Sequence, residues 1–241
     1  MINIYKTRVM KKHLDDDFQN PNYNNHKITN KHILVCGATG TGKSNFLINL
    51  LHQFQNTFRK VIIVTKQTDE SIYAMLQAQL KDACEIKTLA EMVALKDLPK
   101  VGQQLVVFDD FCNNKNQSLL DDYVIRSRKY GIMCCFLTQS LFATSKIIRQ
   151  NCGYLVLLSL CNQRDLTLIM STISCPIDKT IVKRIIQNAT AHKMNVCIID
   201  VTNPDLNRKF RRNFNEFYEV VDDDGEELDT IMLYKDSGLT N

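Results

Sequence analysis

The eight residues GATGTGKS (37–44) constrain this chain more than any other stretch of its sequence. They match the pattern G-x-x-x-x-G-K-[ST] in full. A short apolar run, HILVC (32–36), precedes them, and SNFLINLLHQFQ (44–55), with apolar residues at helical spacing, follows. A glycine-rich turn between a strand and a helix lets backbone N–H groups point inward around an anion. The sequence therefore predicts a strand, a phosphate-binding loop and a helix here.

The residue types of this loop suit a nucleoside triphosphate bound with Mg²⁺. We expect the positive end of the following helix to face the phosphates. Lys43 would then reach the β- and γ-phosphates, and the Ser44 hydroxyl would bind Mg²⁺. The alternative is a turn that binds nothing, and the strand and helix on either side argue against it. The predicted nucleotide-binding residues are Gly37, Ala38, Thr39, Gly40, Thr41, Gly42, Lys43 and Ser44.

Strand-like and helical segments alternate along the rest of the chain. Further strands are predicted at 61–65, 105–109, 132–138, 153–160 and 195–201, and helices at 69–81, 117–130, 163–171 and 178–190. The strands are apolar throughout rather than alternating, which is typical of strands that are buried on both faces. The predicted fold class is α/β, with a mostly parallel sheet and helices on both faces.

Length and composition predict one globular core with extensions at both ends. With 241 residues, 44% of them hydrophobic, the chain has ample material for a buried core. We divide it into an N-terminal arm (1–31), a core (32–202) and a C-terminal basic segment with an acidic tail (203–241). No stretch approaches the roughly 18 consecutive apolar residues that span a bilayer, and the N-terminus is polar. Neither membrane insertion nor secretion is expected.

Nine cysteines are present, but they do not form a disulfide or metal-binding pattern. Their number is odd, no CxxC pair occurs, and several fall inside apolar runs. These features indicate buried free thiols in a reducing compartment.

Charge is distributed unevenly along the chain. Residues 214–241 carry nine acidic side chains and one lysine, whereas the whole chain has a net charge of +4. The remainder is therefore strongly basic, which favours a polyanionic partner, although an ordinary solvated surface remains an alternative. The densest basic stretch, NRKFRRNF (207–214), is one candidate contact. The others are the loop NNKNQ (113–117) and the arm that contains Lys6, Arg8, Lys11 and Lys12.

Two aspartates end the apolar run LVVFDDF (105–111). The carboxyl ends of parallel strands line the ligand crevice in folds of this class. We therefore expect Asp109 to hold Mg²⁺ and Asp110 to act as the general base for the attacking water. Gln139 follows the strand at 132–138, and it would lie between Asp109 and the phosphate loop if that strand inserts between them. There it would sense the γ-phosphate or orient water.

The order of these motifs resembles the FtsK–HerA superfamily of DNA-pumping ATPases. GATGTGKS, LVVFDDF, SRKYGIMCCFLTQS and SKIIRQNCGYLVLLSLCNQRD carry the resemblance, which covers residues 30–200. They look most like the genome-packaging ATPases of large double-stranded DNA viruses and virophages. IIVTKQTDESIY (62–73), with Lys66, adds a weaker match. Many relatives have Asp–Glu where this chain has Asp109–Asp110, so the assigned base has a shorter side chain here.

The resemblance implies a RecA-like (ASCE) P-loop NTPase fold in which the strand that ends at Asp109 is not adjacent to the phosphate-loop strand. It also implies a homo-oligomeric ring, pentameric or hexameric, around double-stranded DNA. An arginine finger would act on the neighbouring subunit's nucleotide. Arg128 in SRKYGI matches that position best, and Arg126 is the second candidate.

The function expected from these features is ATP-driven, Mg²⁺-dependent translocation of double-stranded DNA into a viral capsid. The partners would be DNA and a capsid vertex or portal, and the location would be the virion and the host cytoplasm, in a virus factory. One alternative is another DNA-transfer ATPase, such as a conjugation ATPase. The other is a nucleotide switch without motor activity, and the lack of an NKxD motif after the fourth strand argues against a GTPase switch.

Overall fold

The fold is built on one ten-stranded sheet, as seen in a computed structural model. The structure describes residues 31–55, 57–98, 102–111, 117–159, 163–173, 176–221 and 230–235. The strands are β1 (Ile33–Cys36), β2 (Lys60–Val64), β3 (Cys84–Lys87), β4 (Gln104–Asp109), β5 (Ile132–Thr138), β6 (Tyr154–Leu157), β7 (Cys197–Asp200), β8 (Phe210–Arg212), β9 (Glu216–Val221) and β10 (Thr230–Lys235).

The strand order is β10-β9-β8-β7-β6-β1-β5-β4-β2-β3. The six strands from β6 to β3 in this order run parallel to one another, whereas β7 to β10 are joined by antiparallel pairs. The predicted mostly parallel sheet is therefore confirmed. The sheet also places β5 between β1 and β4, as the resemblance implies.

Helices cover both faces of the sheet, because successive strand residues point to opposite sides. In β5, Cys134 and Phe136 pack with one buried cluster, and Cys135 and Leu137 pack with the other. The first cluster includes residues of the last four helices, and the second includes residues of the first two. The helices are α1 (Lys43–Gln53), α2 (Ser71–Leu80), α3 (Gln117–Arg126), α4 (Lys146–Asn151), α5 (Gln163–Ile173) and α6 (Lys179–Ala189).

Two main-chain hydrogen bonds fix the edge of the sheet where β1, β5 and β4 end. The Gly37 N–H donates to the Thr138 carbonyl at 3.1 Å, and the Asp110 N–H donates to the Leu137 carbonyl at 3.0 Å. The phosphate loop, the aspartate pair and Gln139 therefore leave the sheet side by side. This edge is where the candidate site lies.

Three strands from the C-terminal segment, β8 to β10, extend the sheet that the core segment begins. They are not among the predicted strands. In β9, EFYEVV does not alternate, because each glutamate is followed by two uncharged residues, and in β8 two arginines follow one phenylalanine. Taken alone, these patterns predict solvated surface, and only the neighbouring strands show that the segments belong to the sheet. The acidic run 222–229 lies outside the described residues.

The interpretation of 207–214 as a DNA contact is wrong for its two most buried cations. Lys209 is 5% exposed and Arg211 is 3% exposed. The Lys209 ammonium donates to the carbonyl oxygens of Asp200 and Val201, at 3.4 and 3.1 Å. Arg211 lies over the ring of Phe217 at 4.8 Å. These charges stabilise the junction of β7, β8 and β9 and are not available to a phosphate backbone. The other two candidate contacts, the arm and the loop 113–117, lie outside the described residues, apart from the backbone of Gln117 and from Lys31.

Two smaller elements were also missed. β3 reads CEIK, which is too short and polar to stand out, and α4 has only six residues. The cysteine prediction holds for the six thiols that the structure describes as free and buried: Cys36, Cys84, Cys134, Cys135, Cys152 and Cys197. Within the described ranges, no helix is both long and apolar enough to cross a bilayer.

A buried histidine gives the fold a predicted acid sensitivity. His32 is 1% exposed, and its Nδ1 accepts a hydrogen bond from the Cys134 N–H at 2.9 Å. Burial, with a contribution from the positive charge of Arg128, lowers the pKa of His32 to about 4. The unfolded chain therefore binds a proton more readily than the folded chain between pH 6.5 and 4, so stability falls as pH falls through that window.

We expect wild-type protein to lose about 2 kcal/mol of unfolding free energy from this residue between pH 7.5 and pH 5. His32→Asn should be less stable at pH 7.5 but should lack this part of the pH dependence. Urea denaturation at both pH values measures the difference. His192→Asn, at an exposed position, is the control and should keep the wild-type dependence. An equal loss in wild type and His32→Asn would contradict the assignment.

Candidate nucleotide-binding site

The phosphate loop adopts a conformation that requires its glycines. Gly42 precedes α1 with a φ of 106°, in the left-handed region that side chains disfavour. At Gly37, an added Cβ would lie 2.5 Å from Thr41 Oγ1 and 2.9 Å from Leu158 Cβ. The loop therefore turns sharply away from β1 and starts α1 with its N-terminal amides facing the same space.

Lys43 lies across the loop in this structure. Its Nζ donates to the carbonyl oxygens of Gly37 and Ala38, at 2.9 and 3.2 Å. Backbone oxygens are weak partners for an ammonium group compared with phosphate oxygens. The side chain therefore has a short path from these carbonyls to an anion held above the loop.

Asp109 ends β4 as a half-buried carboxylate with a tyrosine partner. The Tyr73 hydroxyl donates to Asp109 Oδ2. Burial raises the pKa of Asp109, and the negative charge of Asp110 adds to this effect, while the hydrogen bond from Tyr73 opposes it. Because the Asp109 carboxylate is poorly solvated, a nearby cation would stabilise its ionised form.

Asp110 is held in an unusual backbone conformation. Its φ is 60°, which aspartate tolerates better than most residues but which is still uncommon outside glycine. Gln139 Nε2 donates to its Oδ2 at 3.1 Å, and Lys66 Nζ donates to its carbonyl at 3.0 Å. The carboxylate is thus turned toward Gln139, and the two residues that the sequence assigned to the attacking water contact each other directly.

All of these groups face one cavity of about 470 Å³. The structure therefore brings together the phosphate loop, both aspartates and Gln139, as the strand order requires. Its lining residues are Thr39, Gly40, Gly42, Lys43, Ser44, Asn45, Thr65, Lys66, Gln67, Glu70, Asp109, Asp110 and Gln139.

One wall of the cavity comes from the segment between β2 and α2, to which the sequence analysis assigned no site role. Glu70 lines the cavity, and burial raises its pKa, with further contributions from the charges of Asp109 and Asp69. Tyr73 lies one turn further on and contacts Asp109. The stretch IIVTKQTDESIY was noted for its resemblance, but β2 had to be placed next to β4 before its roles became visible.

The side chains present fit a Mg²⁺ ion. Oxygen ligands are what this cation prefers, and it usually keeps several waters and takes only one or two groups from the protein. Ser44 supplies a hydroxyl and Asp109 a carboxylate, and both line the same cavity. A hydroxyl and a carboxylate that face one cavity beside a phosphate loop match a cation bound to a nucleotide.

Arg126 and Arg128 lie far from this cavity. Arg128 is in the turn before β5, and Gln139 follows β5, so the seven residues of the strand separate them by roughly 20 Å. Arg128 is exposed and lines a cavity of about 180 Å³ with Lys31, Gln150 and other residues. Arg126 pairs with Asp122 at 3.0 Å. Neither arginine can reach the nucleotide site of its own chain.

Comparison with known proteins gives matches at the level of structure. The genome packaging NTPase of Sulfolobus turreted icosahedral virus 2 in complex with AMPPCP matches with a TM-score of 0.56 and 13% identity, over 77% of this chain and 98% of that chain. The DNA-packaging ATPase of Sulfolobus turreted icosahedral virus gives a TM-score of 0.53 and 15% identity, over 77% and 98%.

A secretion ATPase matches over a smaller part of its own length. The cytoplasmic domain of the Thermomonospora curvata type VII secretion ATPase EccC gives a TM-score of 0.52 and 15% identity, over 81% of this chain and 26% of that one. No protein-family model and no curated protein sequence matches the chain. The solved structures confirm the predicted RecA-like P-loop ATPase fold and, at the level of fold, the resemblance to viral packaging ATPases.

Proposed function

We propose that this protein is a Mg²⁺-dependent ATPase that translocates double-stranded DNA, and that its task is to package a viral genome into a capsid. The observation that carries the proposal is the convergence of the phosphate loop, Asp109, Asp110 and Gln139 on one cavity. Such an arrangement supplies phosphate binding, a cation site and a group for the attacking water in one place.

The residues divide the hydrolysis between them. Ser44 and Asp109 would hold Mg²⁺, which would offset the charge on the phosphate oxygens. Lys43 leaves the loop carbonyls for the β- and γ-phosphates. Asp110, oriented by Gln139, takes a proton from the water whose oxygen bonds to the γ-phosphorus, while the bond from that phosphorus to the bridging oxygen breaks and ADP leaves.

Double-stranded DNA is the proposed polymer for two reasons. The relatives with the highest TM-scores named above package viral genomes or DNA. The chain before residue 214 is strongly basic, as a polyanion partner requires. Residues 113–117 follow Asp110 closely in the sequence, which suits a segment that couples nucleotide state to DNA.

A ring of five or six copies around the duplex would complete the site. In that ring Arg128 of one copy would reach the nucleotide of the next, which fits its position roughly 20 Å from its own site. A capsid vertex or portal is the proposed docking partner, and the virion and the host cytoplasm are the proposed locations. The competing function is DNA transfer of the kind served by the conjugation coupling protein TcpA, which this fold also matches with a TM-score of 0.50.

We expect Mg²⁺-dependent ATP hydrolysis to rise when duplex DNA is added, because a DNA translocase hydrolyses ATP faster when it is bound to DNA. The rise should weaken as salt increases, since most of the affinity for DNA comes from phosphate contacts. Heparin is the matched control, as a polyanion without duplex geometry. Hydrolysis that ignores DNA at low salt would favour the nucleotide switch and would leave the nucleotide site intact.

A further inference from the structure

Tyr73 contacts one of the two predicted ligands of the cation. It is completely buried, in the first turns of α2. Its hydroxyl donates to Asp109 Oδ2, and Asp109 lines the same cavity as Ser44. The phenol thus reaches the cation site through the carboxylate at the end of β4.

A buried tyrosine hydroxyl needs a partner, and two other buried tyrosines have uncharged ones. Tyr123 donates to the Val93 carbonyl at 2.8 Å, and Tyr218 donates to Asn188 Oδ1 at 2.7 Å. Both partners are neutral, and neither of them lines the cavity. Tyr73 instead donates to a carboxylate that lines the cavity, and hydrogen bonds to ionised acceptors are about twice as strong as neutral ones.

The contact restricts how Asp109 can face the cavity. With one lone pair of Oδ2 engaged by the phenol, Oδ1 keeps both of its lone pairs for a cation or its water shell. Tyr73 is itself anchored, because its N–H donates to the Glu70 carbonyl at 3.0 Å and its ring is enclosed by the core. The orientation of the carboxylate therefore depends on a rigid helix rather than on a mobile side chain.

We propose that Tyr73 is a positioning residue for the divalent cation, and that it orients Asp109 toward Mg²⁺ bound with a nucleoside triphosphate. This inference rests on the proposed function, because it assumes that the cavity binds a nucleotide with Mg²⁺. Tyr73 does not touch the substrate. It acts through Asp109, as residues that hydrogen-bond to metal ligands commonly do.

The test is nucleotide binding by Tyr73→Phe, which keeps the ring and removes only the hydroxyl. A fluorescent ATP analogue is titrated at fixed concentration with Mg²⁺, and the Mg²⁺ concentration for half-maximal binding is measured. Loss of a residue that hydrogen-bonds to a metal ligand typically weakens metal affinity 10- to 100-fold. We therefore expect the Mg²⁺ concentration for half-maximal binding to rise about tenfold or more. Binding of the same analogue in EDTA should not change.

Tyr123→Phe is the matched control, because it removes a buried tyrosine hydroxyl that bonds to a backbone carbonyl. It should show the wild-type Mg²⁺ requirement even where its thermal stability falls as much as that of Tyr73→Phe. A wild-type Mg²⁺ requirement in Tyr73→Phe overturns the inference and leaves the proposed function standing. An equal rise in both variants overturns it too, since the effect would then be structural. Failure of the wild-type protein to bind the analogue with Mg²⁺ would remove the proposed function and, with it, the inference.

Discussion

Lys43→Ala is expected to reduce Mg²⁺-dependent ATP hydrolysis by at least about 10²- to 10³-fold, the usual cost of removing one group that stabilises developing charge. Lys43 is the only lysine in the phosphate loop, and its ammonium already lies over that loop, 2.9 Å from the Gly37 carbonyl. Alanine leaves the backbone cradle in place and removes the positive charge that we assign to the β- and γ-phosphates. A steady-state phosphate-release assay measures the loss.

Lys60→Ala controls for a general effect of losing a lysine. Lys60 begins β2, at the end of the strand away from the cavity, and pairs with Glu85 at 2.6 Å. Both side chains are partly buried and neither lines the cavity, so this variant should hydrolyse ATP at the wild-type rate. Undiminished hydrolysis by Lys43→Ala would mean that any nucleotide hydrolysis takes place outside the phosphate loop.

Arg128→Ala is expected to bind ATP normally and to hydrolyse it about 10³- to 10⁵-fold more slowly, which is the range for loss of an arginine finger. The physical reason is position, because Arg128 is exposed and lies at the far end of β5 from Gln139. It cannot reach the nucleotide of its own chain, so the role that we propose for it is on the nucleotide of a neighbouring subunit. Nucleotide binding by fluorescence and phosphate release, measured on the same preparation, separate binding from hydrolysis.

Arg126→Ala tests the second candidate and serves as the matched control. The Arg126 side chain is 64% exposed and pairs with Asp122 one turn earlier on α3. If Arg128 is the finger, Arg126→Ala should retain most of the activity. If the losses are reversed, Arg126 holds the role, and wild-type hydrolysis by Arg128→Ala rules Arg128 out.

Mixing the two inactive variants shows whether the arginine acts between subunits. An Arg128→Ala subunit keeps an intact phosphate loop, and a Lys43→Ala subunit keeps its arginine. Where the two meet in one assembly, a single complete site forms, so part of the activity should return. An arginine that acts within its own chain gives no recovery on mixing.

The sequence predicted the phosphate loop best, because the residues that lie together there are also adjacent in the sequence. The loop from Gly37 to Ser44 carries its own strand, glycines, lysine and helix, so its geometry follows from local rules. Gln139 was predicted conditionally, since it joins the site only if β5 inserts between β1 and β4, and the sheet order confirms that insertion.

The places of Tyr73 and Glu70 at the site could not be predicted from the sequence. They reach the site because β2 pairs with β4, which brings the start of α2 to the end of the strand that carries Asp109. A tyrosine at the fifth position of the predicted helix (69–81) is typical of core, and Tyr73 is indeed buried. Only the contact of its hydroxyl with Asp109 separates a positioning role from packing.

Lys209 and Arg211 were wrongly predicted to lie on the surface, because they are charged. A run of cations suggested a polyanion contact, yet both side chains are buried beside Asp200, backbone carbonyls and aromatic rings. Buried cations are costly unless each is paired or hydrogen-bonded, and these partners come from β7, the turn after it and β9, outside the basic run. The composition of the run could not reveal them.

The central claim is that ATP hydrolysis at this site moves double-stranded DNA, and displacement of a fluorescent third strand from a DNA triplex measures such movement directly. We predict displacement that requires duplex flanking the triplex, ATP and Mg²⁺, and that is absent with a non-hydrolysable ATP analogue and with Lys43→Ala. ATP hydrolysis at an undiminished rate on the same DNA, with the third strand left in place at low salt, would contradict it.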